Sequence, residues 1–246
     1  MRRTLSCTIV VTFVLGTVGT ARAWPVDAGA PETRSPIALP PVPTQGVAIQ
    51  GPASVVLVDL DGRILARVRG MHLAGDGPPA RVVLLEGPEG AWLLRPGLDL
   101  LRPVTDRHAA ALDQPDQDHL GRLDIRRPIG SRYRGVVVGH WRYALPSPHG
   151  DLYLAQWSGE CEVPTAYFAR PGARPIPVVG PPEADYVPES FALGWTFDAR
   201  AVVLLPQGAC GSSMQTPGVY LFSSPNVGTL LHPVGGWRGA LMWGQT

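Results

Sequence analysis

The chain has 246 residues, 45% of them hydrophobic, and its 21 basic and 20 acidic side chains leave a net charge of +1. That length suits one sizeable domain or two small ones, and so even a balance lacks the basic excess that marks a binder of nucleic acid or of an anionic membrane surface. All of the basic side chains are Arg and none is Lys, which excludes a Lys nucleophile, a Schiff base and a phosphate-binding Lys.

The chain opens on Arg2 and Arg3, continues with an apolar run over 8–18 and reaches Ala21-Arg22-Ala23. A basic start, an apolar core and a small-x-small site form a secretory signal peptide over 1–23, with cleavage expected after Ala23. The apolar run is too short to span a bilayer, which takes about 20 apolar residues, so no membrane span is expected in the mature chain. Cys7 precedes the apolar run and so does not fit a lipoprotein signal. Cleavage removes Arg2, Arg3 and Arg22 and no acid, which moves the net charge to −2. The expected location is secreted or periplasmic, at the cell envelope. The Arg-only basic set, with abundant Ala, Gly, Pro and Val, reads as the codon bias of a GC-rich genome such as an actinobacterium's.

Residues 24–50 include APETRSPIALPPVPTQG, rich in Pro and without an apolar period. Such a stretch buries too little surface to offset its ordering entropy and reads as a disordered linker. A single folded domain is expected over 51–246. There, apolar runs of four to seven residues alternate with Gly, Pro and Asp: SVVLVDL, RVVLLEG, AWLLRPG, GVVVGHW, DLYLAQW, AYFARPG, FALGWTF, RAVVLLP and GVYLFSS. Short strands at even spacing indicate an all-β sandwich, barrel or propeller. The nearest approach to a helical pattern is RHAAALDQ at 107–114.

Internal repetition favours the propeller. PHGDLYLAQWSGEC at 148–161 lies without gaps on FDARAVVLLPQGAC at 197–210, an offset of 49 residues. PTAYFARPG then matches PGVYLFSSP, and PIPVVG matches LLHPVG. Three segments ending in Trp, GVVVGHW at Trp141, SFALGW at Trp195 and RGALMW at Trp243, read as one repeated inner strand. A fainter copy lies between 80 and 104, and 105–134 reads as an insertion. The expectation is a β-propeller-like array of about four blades. Its closing blade, made from both ends of the domain, lacks its second strand, so the array reads either as a four-bladed ring with a defective closing blade or as an incomplete one.

GWTFDARAVVLL resembles the WSPDGR turn of TolB-like propellers, and SVVLVDLDGRILARV resembles the outer hairpin of that family. The domain is thus similar to exported TolB-like or WD40-like propellers from Ser54 to Trp243. The resemblance implies blades and no particular activity.

Two cysteines remain after cleavage, Cys161 and Cys210, at equivalent places in successive units. An even count in an exported chain favours a disulfide, and equivalent loops of adjacent blades would be neighbours. Two free thiols are the alternative, and without CxxC a redox-exchange role is disfavoured. Glu160 and Glu162 flank Cys161, with Trp157 just before. Two carboxylates beside an aromatic suit a cation or sugar ligand or an acid/base pair, set against a plainly solvated loop. The acidic run DQPDQDH at 113–119 lacks the Gly and the bidentate Glu of a calcium loop. The six His form no HExxH or HxH pattern, so no metal is expected; His140 beside Trp141 reads as a core imidazole. No GxSxG elbow or phosphate-cradling loop occurs, and no cofactor is expected. The leading expectation is a non-catalytic binding protein for a protein, peptide or glycan, with Trp157, Glu160 and Glu162 on its ligand face. The alternative is a secreted hydrolase or lyase using Glu160 and Glu162 with His140.

Overall fold

The computed structural model describes residues 37–74, 83–88, 90–94, 100–104, 123–128, 132–133, 136–137, 139–159, 163–180, 188–206, 216–234 and 239–244. Among these residues the fold is all-β, without a helix, and four antiparallel sheets stand as the blades of a propeller. The nearest approach to a helical pattern, at 107–114, lies outside the described residues.

Blade I joins the two ends of the fold. Its strands, from the axis outward, are β19 (Ala240–Trp243), β2 (Gly46–Gln50), β3 (Ser54–Asp59) and β4 (Ile64–Arg69). Blade II runs from β5 (His72–Leu73) through β6 (Val83–Gly87) and β7 (Gly90–Leu94) to β8 (Leu100–Val104), and β1 (Ile37–Ala38) pairs onto its outer edge. A two-stranded hairpin follows, β9 (Arg132–Tyr133) with β10 (Val136–Val137). Blade III holds β11 (His140–Pro146), β12 (Tyr153–Ser158), β13 (Pro164–Ala169) and β14 (Ile176–Pro177). Blade IV holds β15 (Phe191–Trp195), β16 (Ala201–Leu205), β17 (Gly218–Ser224) and β18 (Val227–Pro233).

Two expectations from the sequence are corrected here. The stretch read as disordered linker up to residue 50 contains β2, every residue of which is buried, so the fold begins upstream of residue 51. GVAIQ directly follows the Pro-rich run and is only five residues long, so composition alone absorbed it into the linker. β2 is also the strand that the closing blade was expected to lack: it pairs with β19 from Gly46↔Trp243 to Ile49↔Ala240. The closing blade is complete.

Burial follows position. β2, β13 and β16 are buried along their whole length; β2 and β16 have a blade against each face, and such strands read as unbroken apolar runs and not as an alternation. Outer strands β4 and β18 carry mostly exposed or half-buried residues. Among the described residues, three apolar clusters fill three junctions between blades. Ala48, Leu57 and Trp243 meet Leu85, Trp92 and Leu94 between blades I and II. Leu154, Phe168 and Val178 meet Trp195, Val203 and Phe222 between III and IV. Val47, Val56 and Val58 meet Val202, Leu204 and Leu221 between IV and I.

Each of these junctions also carries a buried glutamine that bridges main chain to main chain. Between III and IV, Gln156 Nε2 donates to Ser190 O (3.0 Å) and Oε1 accepts from Ala192 N (2.7 Å). Between IV and I, Gln45 Oε1 accepts from Phe197 N (3.0 Å) and Nε2 donates to Trp195 O (3.3 Å). Between I and II, Gln50 Oε1 accepts from Leu73 N (2.6 Å). A carboxamide supplies donor and acceptor together, so it satisfies main-chain groups that apolar packing would leave stranded.

The 49-residue offset is visible in the turns. Gly150 N donates to Ser147 O (2.9 Å) and Ala199 N to Thr196 O (3.0 Å), with Gly150 at φ +75° and Ala199 at φ +60°. The expected match of Trp141 with Trp195 and Trp243 fails. Trp195 and Trp243 pair with the first residue of the next strand, Ala201 and Gly46, whereas in blade III that place belongs to Pro146, opposite Tyr153. Trp141 sits at the other end of β11, beyond a register shift, opposite Trp157. Trp195 and Trp243 share a further role: their Nε1 atoms donate to Leu145 O (2.8 Å) and Pro43 O (3.1 Å).

Candidate ligand face

Strand register fixes which connections share a rim. His140 pairs with Ser158, which pairs with Pro164, so the start of β11 and the link from β12 to β13 lie at one end of blade III. In blade IV, Phe191 pairs with Leu204, and Leu205 with Gly218, which puts the start of β15 and the link from β16 to β17 at the corresponding end. The chain joining blade II to blade III reaches β11 at this end too. The innermost strands begin here with His72, His140, Phe191 and Ala240. This rim therefore carries both cysteine-bearing links and the end of the expected insertion.

Glu160, Cys161, Glu162 and Cys210 themselves lie outside the described residues, as do 105–122 of the insertion and its DQPDQDH run. The base of the Glu160–Glu162 link is described: Gly159 N donates to Val163 O (3.1 Å) and closes the turn. Beneath it is an aromatic cluster. Trp157, 5% exposed, meets Trp141 edge-on with centroids 4.9 Å apart, and Trp141 meets Tyr167 edge-on at 5.6 Å. Such edge-to-face pairs contribute beyond the area they bury. The positions alternate with Leu154, Ala166 and Phe168, so the cluster occupies the face of blade III turned away from blade IV. Trp141 Nε1 is buried without a hydrogen-bond partner among the described residues. Gly139, at φ +93°, runs against Ser158 O and the Trp157 indole so closely that no Cβ would fit.

Charge at this rim is shaped by burial. Desolvation pushes the Tyr167 phenol up to about 12, so it stays a neutral donor. It also raises the Glu189 carboxyl above its ordinary value. Glu189 immediately precedes Ser190, whose Oγ accepts from Ala166 N (2.9 Å). Sequence reading missed Glu189, because PESF carries no pattern and the signal is its partial burial. His72 Nε2 stands 3.5 Å from Glu86 Oε2.

His140 differs from the expected core imidazole: it is exposed. It is the first residue of an inner strand and lies at the rim. Among the described residues, no three His, Cys, Asp or Glu side chains are grouped as a metal site, and no helix is long and apolar enough to cross a membrane. No protein-family model, curated protein or solved structure matches this chain.

Proposed function

We propose that the protein is an exported, non-catalytic binding scaffold, related to TolB-like propellers of actinobacterial type, that takes a protein, peptide or glycan on the rim described above. The observation that carries this reading is topological. Both cysteine-bearing links, the approach from the insertion and exposed His140 leave the blades at one end, and loops on a rigid β frame are where binding residues gather. Glu160 and Glu162 belong to the link nearest His140, Trp157 is buried beneath it and supports the rim without facing a ligand, and Glu189 adds a partly buried carboxylate. Cys161 and Cys210 fall in the same link of consecutive blades, which suits a disulfide tying blade III to blade IV.

Expression with the native leader, followed by intact mass, tests export and pairing together. The expected product begins at Trp24 and gains two hydrogens on reduction. Loss of the bridge lowers stability by about 3–4 kcal/mol, as expected for a closed loop of this length. Glycan and peptide arrays probed with the mature chain test the ligand face. His140→Ala, Glu160→Gln and Glu162→Gln weaken the captured ligand, and Phe197→Ala, at a turn on the opposite rim, leaves it intact. Turnover of the captured ligand, abolished by Glu160→Gln, would replace the scaffold with an enzyme.

A further inference from the structure

A propeller blade ends in an outermost strand whose outer main-chain groups have no strand beside them, a template for pairing with another chain. Three of the four outer edges here carry a device against such pairing. On blade II, β1 covers β8 through Ile37↔Leu101 and Ala38↔Leu100. On blade III, β14 is two residues long and holds Pro177, with Pro175 just before it, so its amide donors are depleted. On blade I, β4 is flanked by Arg63 and carries Arg67 and Arg69, which set like charges against any second copy.

The fourth edge has none of these. β18 is seven residues long, its first four are all exposed, and no charged side chain occurs from Ser223 to Leu231. It displays Val227 (58% exposed) and Leu230 (39%). Pro233 comes only at its end, and the adjoining carbonyl of Leu231 is approached closely by Gly62 of blade I, so the open part is Val227–Leu230.

We infer that this edge is a self-association site, where β18 of one molecule pairs antiparallel with β18 of a second copy and joins two four-stranded blades into one eight-stranded sheet. Its neutrality selects that occupant, since an uncharged strand meets its own image without repulsion. An antiparallel pair of identical strands is also an isologous contact, which closes at two copies. Identical antiparallel strands must set one residue opposite itself. Centring on Thr229 puts Thr229 opposite Thr229, a pair that can share a hydrogen bond, and sets Leu230 opposite Gly228 of the second copy. Gly228 is fixed as glycine for another reason, because a Cβ there would strike the Phe222 ring.

The test is molar mass by light scattering across a concentration series of the mature chain. A mass that rises to twice that of one chain is expected. Thr229→Arg, which sets two like charges face to face, and Leu230→Arg each return it to one chain, while far-UV dichroism stays that of the wild type. Ile64→Arg, at a 51% exposed site on β4, leaves the dimer intact. Thr229→Cys crosslinks two chains under mild oxidation, and Ile64→Cys does not. One chain at every concentration would overturn the inference. So would a dimer that survives both β18 arginines, one lost in Ile64→Arg, or growth into open-ended polymers.

Discussion

Ala199 is held at φ +60° in the turn between β15 and β16, where the equivalent turn of blade III has Gly150. A left-handed backbone costs an L-residue roughly 1–2 kcal/mol, and glycine escapes most of it. Ala199→Gly should therefore raise stability by about 1 kcal/mol, read from urea unfolding. Gln156 works in the opposite sense. Gln156→Leu keeps the volume but strands Ser190 O and Ala192 N, at about 1–3 kcal/mol for each buried group left unmet. His232 sets a pH dependence. Burial, and secondly the Arg67 guanidinium, hold its imidazole below the ordinary value. The unfolded chain thus takes up the proton first as pH falls through about 6.5, and the folded state loses stability from there downward. Thermal midpoints compared between neutral pH and about pH 5 should show this loss, and His232→Gln should reduce it. Single residues were the least legible part of the sequence. The glutamines act through main-chain partners far along the chain, and nothing local marks a residue for that work.

Among the elements, the middle strands of the blades, such as β3 (SVVLVD) and β16 (AVVLL), were plain, because burial on both faces imposes an unbroken apolar run on the sequence itself. β2 was not, since GVAIQ differs from the preceding Pro-rich run only over five residues. The Trp match misled for a structural reason: β11 has seven residues against the five of β15, and Trp141 lies in the extra stretch at its start, so identical residue types occupy opposite ends of equivalent strands. The junction of β2 and β19 is tight. A Cβ at Gly46 would strike the Trp243 ring and lie 2.7 Å from Val58 O, the second of which is backbone and cannot swing aside. Gly46→Ala should cost about 1–3 kcal/mol by overpacking. Because the strain falls on Trp243, intrinsic tryptophan fluorescence should shift along with the unfolding midpoint.

For the molecule as a whole, the 49-residue offset carried the four-bladed architecture, because tandem copies that cannot bury their faces alone must stack on one another. What the offset could not carry was closure, which depends on residues at the two extremes of the fold. Those extremes meet: Gln45 Nε2 lies 3.4 Å from Gly244 O, and Trp243 Nε1 donates across a separation of 200 residues to Pro43 O. A ring whose ends touch has no privileged first blade. Linking 244 to 37 through a flexible segment and cutting the chain instead between β14 and β15 should give a permutant with the same sheets. In that permutant no sheet is shared between the two ends and the pairing of β19 with β2 becomes local, so the longest loop that strand pairing has to close disappears, and refolding should quicken.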